Sequence, residues 1–460
     1  MDEAVGLQTF ATNNTGVHGV LKMRPADFRV EEIGRAPALQ ERGRFTAIKV
    51  TMTDWETNRF VDRFARACKI SKNRVWFSGT KDKKAITTQI MVVDAPRKRV
   101  EVVEMPDIEI EILGRTHQKA KLGDHSGNRF TITIRGCSDD DGIAVEGKEA
   151  MQMVNDIRQM MEQRYGTGVF PNWVGPQRFG TTRPVTAKVG EYVLDGDFES
   201  AVGTYLGMAG VHDREEIEIF RRKWRETSDV EACLEIIPKT LGYERRMLES
   251  LKKTNGDWVR SFGTLPRNLQ LMTVHALQSM IFNHTLAARI ESGLPLNEPV
   301  IGDLVAPLKS DGKADVGKIS LVDETNIRRV TRNCALGRVT VTGPLPGSHS
   351  PNAAGEPGRI EAEVLERLGF KDADWLVEAI PRLSSKGTRR PLTSTFSDLT
   401  VEEAVSLDGE HLSKRWNDGP REGEIWNPDG SSLRLRFTLP PGTYATVLLR
   451  EFMRVPSSQF

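Results

Sequence analysis

The stretch Gly79-Thr80-Lys81-Asp82-Lys83-Lys84-Ala85-Ile86-Thr87-Thr88-Gln89 places one aspartate among three lysines, directly after the apolar run Val75-Trp76-Phe77. A strand-like run continues to Val93, so the lysine-rich segment is predicted to be a loop between two strands. The three ammonium groups favour the ionised form of the Asp82 carboxyl group. An ionised, partly shielded carboxylate suits nucleophilic or electrostatic catalysis, and the lysines suit a polyanionic partner.

On these residues alone, several functions stay open for the loop. It is not a Walker A loop, because the Gly-x4-Gly-Lys-Ser/Thr spacing is absent, and the Asp-x-Asp of aspartyl phosphatases is missing. An aspartate that acts on a glycosidic carbon or a base is one interpretation, and a surface turn with an ion-paired aspartate is another. A glycosidase or phosphatase would need a second carboxylate, which Glu31 or Glu32 could supply in space.

Length and composition describe a globular chain. Its 460 residues, 38% of them hydrophobic and 28% charged, predict two or three domains with a substantial core. No apolar run is long enough to span a bilayer, and the acidic N-terminus lacks the features of a secretory signal. The four cysteines form no CxxC and the eight histidines no ligand set, so we predict no disulfide, no metal and a cytoplasmic location. With a net charge of +1, nucleic-acid binding would have to use local basic patches.

Hydrophobic periodicity predicts a mixture of strands and helices. Alternation indicates strands at 27–33 and 44–52, and a capping-box pattern starts a helix at about 54–68. Further strands are predicted at 108–113 and 129–134, followed by a helix at 148–165. Helices predominate from 188 to 261, an amphipathic helix is predicted at 269–290, and the chain closes with a strand at 432–439 and a helix at 443–453.

Three further segments carry candidate binding residues. Asn128-Arg129-Phe130 enters a strand from a glycine turn and could place an amide and an aromatic ring at a site. A base stacked on such a ring contributes roughly 1 to 3 kcal/mol in single-stranded recognition. The segment with Trp173, Gln177, Arg178 and Phe179 combines stacking and hydrogen-bonding groups, which a packed linker explains equally well. Lys22 lies on a predicted strand and is as consistent with an exposed residue as with a catalytic one.

Taken together, these segments resemble the TruD family of tRNA pseudouridine synthases. The resemblance spans nearly the whole chain in six motifs that follow the family order: Lys22 to Ile33, Gly79 to Gln89, Gly127 to Phe130, Pro171 to Gly180, Leu277 to Asn283 and Gly442 to Phe452. The long helical stretch around 190–265 is similar to the archaeal and eukaryotic branch. One departure is Trp173-Val174, where bacterial members more often carry Tyr-Phe.

The resemblance implies a catalytic aspartate at Asp82, an active-site amide at Asn128 and a base-stacking ring at Phe130. It also implies that Lys22 and Phe28 lie beside the catalytic carboxylate. The expected reaction converts uridine to pseudouridine in tRNA at position 13, without a cofactor. The target base would be flipped into a cleft between two domains, at a cost of a few kcal/mol. RNA contacts are predicted for Lys81, Lys83, Lys84, Gln177 and Arg178.

The predicted fold is α/β (α+β), with a pseudouridine synthase domain whose sheet is mixed and largely antiparallel. This catalytic domain is expected at 1–170 and 386–460, with an inserted α/β TRUD domain at 171–385. The predicted partner is tRNA, and neither a membrane nor an obligatory protein partner is expected. The rival function is a non-catalytic RNA-binding protein on the same fold, whose RNA affinity would not depend on Asp82.

Overall fold

The computed structural model describes residues 2–34, 36–121, 123, 125–180, 183–211, 213–404 and 430–457. The chain divides into two compact units. The first, which we call the sheet unit, comprises Thr12–Phe170, Thr395–Val455 and Gln459–Phe460. The second, the helix-rich unit, comprises Met1–Ala11, Pro171–Ser394 and Pro456–Ser458.

The helix-rich unit reaches beyond the insert bounds expected from the sequence. It extends over residues 386–394 and also includes the first eleven residues, which the sequence-based bounds place in the catalytic domain. Part of the 386–460 segment, residues 405–429, lies outside the described residues. The assignment of the two units as a catalytic domain and an inserted TRUD domain stays a prediction.

The strands are numbered along the described residues. They are β1 (His18–Val20), β2 (Phe28–Ile33), β3 (Phe45–Thr53), β4 (Val75–Phe77), β5 (Ile86–Val93), β6 (Ile108–Thr116), β7 (Gly127–Ser138), β8 (Val169–Pro171), β9 (Leu304–Pro307), β10 (Ser320–Leu321), β11 (Val339–Leu345), β12 (Thr388–Pro391), β13 (Thr393–Thr395), β14 (Ser397–Glu403) and β15 (Leu433–Leu439).

The α-helices are numbered in the same way. They are α1 (Thr57–Ala67), α2 (Arg97–Glu101), α3 (Gly147–Tyr165), α4 (Val185–Leu194), α5 (Phe198–Gly207), α6 (Glu215–Thr227), α7 (Val230–Ile236), α8 (Gly242–Thr254), α9 (Trp258–Gly263), α10 (Arg267–Glu291), α11 (Ile327–Ala335), α12 (Gly355–Arg367) and α13 (Ala445–Met453). No described helix combines the length and the hydropathy that crossing a bilayer requires.

A nine-stranded sheet forms the centre of the sheet unit. Among the described residues its order is β14-β15-β7-β2-β5-β3-β6, with β1 paired to β7 and β4 paired to β5. The β2–β5 pair is parallel, and the other described pairs of this sheet are antiparallel. The prediction of an α/β fold with a mixed, largely antiparallel sheet is therefore confirmed.

Strand alternation sets which side chains this sheet buries. In β15 the residues Leu433, Leu435, Phe437 and Leu439 are buried, while the arginines between them are more exposed. Successive side chains point to opposite faces of a strand, so this pattern turns one face of β15 towards the core.

Helix α1 covers one end of the sheet. The carboxylate of Glu56 caps its N-terminus by accepting hydrogen bonds from the backbone N–H groups of Asn58 and Arg59. The buried side of the helix carries Phe60 and Phe64, whose rings lie 5.2 Å apart, and this side packs against core residues of β3 and β5. The predicted helix is thus present, but it begins at Thr57 rather than at residue 54.

Helix α10 is the central element of the helix-rich unit. It is buried over most of its surface rather than along one stripe, because α4, α12 and the strand β11 all pack against it. Its buried Asn283 donates hydrogen bonds to the carbonyl oxygens of Val5 and Val174 at 3.1 and 3.0 Å. This amide explains why the first residues of the chain belong to the helix-rich unit.

Candidate active site

The loop that carries Asp82 joins β4 to β5. Hydrogen bonds connect both of its ends to the segment at the start of α1, one to Thr57 and one to Asp54 just before the helix. The backbone N–H of Lys81 donates to Oγ1 of Thr57 at 3.0 Å. The backbone N–H of Asp54 donates to the carbonyl oxygen of Ala85 at 3.0 Å. Two hydrogen bonds therefore bracket Asp82 and limit how far its backbone can move.

Asp82 forms an ion pair with Lys22. The Lys22 ammonium lies 3.0 Å from Oδ2 of Asp82, and the side chains are 15% and 43% exposed. The same ammonium lies 4.4 Å from the centroid of the Phe28 ring, within cation–π distance. The structure thus brings Lys22, Phe28 and Asp82 together, and the carboxylate still reaches solvent.

The backbone of Lys22 has an uncommon conformation. Its φ of 56° lies in the left-handed region, which a residue with a long side chain seldom adopts. Such a conformation persists where the surrounding structure fixes it, and it occurs often at functional sites. Here it directs the lysine towards Asp82.

A buried ion pair holds the turn between Lys22 and β2. Asp27 is fully buried and accepts a hydrogen bond from the backbone N–H of Arg24 at 3.1 Å. Two nitrogens of Arg135 reach its carboxylate oxygens at 2.8 and 2.6 Å. This two-point contact is geometrically specific, so it orients the segment that presents Lys22 and Phe28.

Phe130 and Asn128 share one face of β7. Phe130 pairs with Phe437 of β15 and Val30 of β2, and its ring stacks on Phe437 with centroids 5.4 Å apart. The Phe28 ring meets Phe130 edge to face at 6.2 Å. Phe130 is only 7% exposed, because the rings of Phe437 and Phe28 both pack against it.

Asn128 lies two residues before Phe130 and directly across from Glu32 of β2. Its Nδ2 lies 3.4 Å from Nε2 of His125, and its buried Oδ1 has no hydrogen-bond partner among the described residues. The same holds for the Thr87 hydroxyl and the Gln89 carboxamide of β5. Leaving such a buried group unsatisfied costs about 1 to 3 kcal/mol, which indicates a place for polar ligand groups or solvent.

The three loop lysines lie in different surroundings. The Lys81 ammonium lies 2.9 Å from Oε2 of Glu32, and the side chains of the pair are only 6% and 5% exposed. The Ser78 hydroxyl donates to the same oxygen. Lys81 is therefore committed to an internal ion pair, whereas Lys83 and Lys84 are exposed.

The remaining predicted residues lie in the helix-rich unit. Gln177 and Arg178 belong to a short 3-10 turn, Pro176–Arg178, and both are half-buried. Trp173 and Phe179 are 0% and 1% exposed and serve as core residues, so neither ring offers a face to a base as it stands.

Sequence reasoning gave no role to three residues around the loop and named Glu32 only as a possible second carboxylate. Thr57, Ser78 and His125 had no distinguishing signal, because their contacts depend on tertiary structure. Glu32 did have a signal in the sequence: strand alternation puts it on the same face of β2 as the buried residues Phe28 and Val30. An acidic residue on a buried face indicates a buried partner. No cluster of three or more metal-binding side chains occurs in the part of the chain that the structure describes.

Of the carboxylates that the described part of the chain places at this loop, Asp82, Glu31 and Glu32, the one beside Lys22 is the candidate for chemistry. Asp82 reaches solvent, whereas Glu32 is shielded and bound to Lys81. Glu31 points outward and lies 3.4 Å from Arg129. A single carboxylate beside an ammonium, an aromatic pair and an amide suits a reaction at a nucleoside better than acid–base hydrolysis.

Comparison with known proteins identifies the family. A family model described as tRNA pseudouridine synthase D (TruD) matches residues 4–452. The chain belongs to the TruD family. The resemblance found in the sequence motifs is thereby confirmed, and TruD membership makes the chain an RNA-modifying isomerase by family.

TruD relatives from several archaea match over nearly their whole length. A protein of Methanosarcina mazei named probable tRNA pseudouridine synthase D is 35% identical over 99% of this chain and 98% of its own. A Thermococcus gammatolerans protein of the same name is 35% identical over 95% of each chain.

A TruD crystal structure shares the fold. The putative tRNA pseudouridine synthase D from Methanosarcina mazei is 34% identical, with a TM-score of 0.81 over 100% of this chain and 98% of the other.

Proposed function

We propose that this chain is a tRNA pseudouridine synthase that uses Asp82 to isomerise uridine to pseudouridine. One observation carries the assignment: the carboxylate of Asp82 lies 3.0 Å from the Lys22 ammonium, which itself lies over the Phe28 ring. The family match and the names of the archaeal relatives support the same reaction. The supported substrate is tRNA, and the family leads us to expect the uridine at position 13.

The reaction requires a carboxylate that is charged at neutral pH. The N-glycosidic bond breaks, the uracil rotates, and its carbon 5 bonds to the ribose carbon that lost nitrogen. Carbon 5 then gives up its proton and N1 ends with one, so the atoms balance as an isomerisation. Asp82 can attack the ribose or the base, or remove the proton from C2′, and each route starts from the ionised carboxylate. In the structure the Lys22 ammonium lies 3.0 Å from Oδ2 of Asp82 and places an opposite charge beside it.

The detached uracil must be retained and turned. We propose the Phe130 ring, which contacts Phe437 and Phe28, as the surface on which the uracil stacks. The Oδ1 of Asn128 can accept a hydrogen bond from a uracil N–H. We therefore assign Phe130 and Asn128 to holding the base after it has been flipped out of the RNA.

The first test is the substitution Asp82→Asn. It keeps the size of the side chain and removes the charge, so tRNA affinity should stay within about twofold while turnover falls by at least about 10³-fold. Pseudouridine in unmodified tRNA transcripts is mapped with carbodiimide, and tRNA binding is measured separately. Asp62→Asn in α1 serves as a control, because its partner Arg66 lies outside the site. A normal rate of pseudouridine formation by Asp82→Asn would overturn the assignment.

The two alternatives make different predictions. A non-catalytic RNA-binding protein would form no pseudouridine with either form of the chain, and the comparisons offer nothing in its favour. A glycosidase would need a second carboxyl group to protonate the leaving oxygen. Glu32 cannot readily supply that proton, because Lys81 and Ser78 both donate to it.

A further inference from the structure

We propose that Arg59 and Arg63 of α1 form a phosphate-binding site for the RNA strand that carries the target uridine. The proposal rests on the proposed function, since it takes the substrate to be RNA. It assigns these two residues to binding the RNA backbone and leaves the chemistry to Asp82.

Both arginines are held over one tryptophan. Their guanidinium carbons each lie 5.4 Å from the centre of the Trp55 ring, and both side chains belong to exposed residues. Trp55 is only 9% exposed, and its Nε1 donates to the carbonyl oxygen of Pro106 at 3.2 Å. The ring is thus a fixed platform that restricts both guanidinium groups while their N–H edges stay available.

The pair of arginines concentrates positive charge. Residues four apart on a helix are neighbours, and like charges at this spacing destabilise it. Neither arginine forms an ion pair with a carboxylate among the residues that the structure describes. Two other exposed helical arginines of the sheet unit do have such partners: Arg66 contacts Asp62, and Arg97 lies 2.6 Å from Glu101. Two guanidinium groups that share one ring and have no carboxylate partner among the described residues favour an anion from outside the chain.

The platform lies directly beside the catalytic loop. Trp55 stands between Asp54 and Thr57, the two residues that hydrogen-bond to the loop at Ala85 and Lys81. These hydrogen bonds join the segment that carries the two arginines to the loop that carries Asp82, so a strand bound at Asp82 has α1 as a neighbouring element. Its negatively charged phosphates are the groups that a planar guanidinium binds with two parallel hydrogen bonds.

The chemistry favours RNA phosphate over an acidic protein. The neighbouring exposed residues of the loop, Lys83 and Lys84, extend the positive charge around Asp82. Backbone contacts of this kind position a nucleic acid without reading its sequence. We therefore expect Arg59 and Arg63 to strengthen binding of all substrate tRNAs alike.

The test compares the double variant Arg59→Gln/Arg63→Gln with wild type in tRNA binding across a series of monovalent salt concentrations. Each lost phosphate contact should lower the slope of log affinity against log salt by about 0.7 to 0.9. The affinity difference between wild type and variant should therefore shrink roughly tenfold between 50 and 200 mM salt. Arg59→Lys/Arg63→Lys keeps the charges and should restore most of the slope.

Arg66→Gln is the matched control on the same helix, because Arg66 already pairs with Asp62. The proposal fails if the double glutamine variant keeps the wild-type slope, or if its slope falls no further than that of Arg66→Gln. Melting temperatures of all variants identify any loss of fold. Pseudouridine formation by wild type is measured in parallel: its absence would refute the proposed function, while the salt comparison would still decide the role of the arginines.

Discussion

At the residue scale, Glu32 separates the roles of the loop lysines. Its carboxylate accepts from Ser78 and Lys81, which lie on either side of the Gly79-Thr80 turn that precedes Asp82. From the sequence alone Lys81 was a candidate for RNA binding, because nothing in the sequence distinguishes it from the neighbouring Lys83 and Lys84. The structure shows it buried against an acid forty-nine positions away, and such a pairing becomes visible only once β2 and the loop are assembled.

The substitution Glu32→Gln tests whether this contact positions Asp82. It leaves a buried ammonium without its counter-charge, which should lower the free energy of unfolding by about 3 to 5 kcal/mol. If Lys81 shifts, Asp82 shifts with it, so kcat should fall while KM for tRNA changes little. Denaturant unfolding and steady-state pseudouridine formation measure the two effects.

Two further variants separate positioning from general loss of stability. Glu32→Gln/Lys81→Met removes both charges and should recover most of the lost stability. Glu361→Gln breaks the comparably buried contact with Arg389 in the helix-rich unit, where the two atoms lie 2.7 Å apart. The Glu361→Gln variant should have a lower free energy of unfolding than wild type, whereas its kcat per folded molecule should equal that of wild type. An equal fall in kcat in Glu361→Gln would refute the positioning role of Glu32.

At the element scale, the sequence predicted the positions of the strands better than it predicted which elements surround each helix. Alternation in 27–33 and 432–439 identified β2 and β15, because a sheet with one buried face imposes a period of two on its strands. Helix α10 was predicted as amphipathic at 269–290 but is buried on most sides. Its polar residue Asn283 is buried and donates hydrogen bonds to carbonyl oxygens inside the unit, whereas a periodicity argument counts a polar residue as solvent-facing.

The burial of α10 gives the protein a pH-dependent element. Its His284 is 7% exposed, and burial lowers the pKa of the imidazole below its ordinary value of 6.5. The unfolded chain therefore binds a proton more readily than the folded one, so stability should fall as pH drops below about 6.5. One such group changes the free energy of unfolding by at most about 1.4 kcal/mol per pH unit.

Urea unfolding at pH 7 and pH 5 checks this expectation for His284. His284→Phe should reduce the loss of stability between the two pH values, because the titrating group is gone. His349→Gln, at an exposed histidine of the same unit, is the control. An unchanged pH dependence in His284→Phe would show that other groups cause it.

At the scale of the whole molecule, the cysteines divide evenly between the units. Cys68 and Cys137 belong to the sheet unit, and Cys233 and Cys334 to the helix-rich unit. Burial raises the pKa of Cys68, Cys137 and Cys334 to about 11, and it also raises that of Cys233. Because the thiolate is the reactive form, all four should resist alkylation while the chain is folded.

Alkylation with iodoacetamide at pH 8 over a series of urea concentrations lets these thiols report separately on the unfolding of each unit. The pair in each unit should become labelled over one transition, and peptide mass spectrometry assigns each label. If the units unfold independently, the two pairs will have different midpoints. Rapid labelling of Cys68 or Cys137 in native buffer would contradict the burial described for the sheet unit.

The position of β15 has a consequence for how the protein is made. This strand lies between β7 and β14 in the nine-stranded sheet, yet it leaves the ribosome long after β7, because the segment Pro171–Ser394 separates the two strands in sequence. The long segment Pro171–Ser394 is complete well before then. During synthesis most of the helix-rich unit can therefore fold first, while β7 keeps an open edge until β15 pairs with it, and an unpaired strand edge favours aggregation.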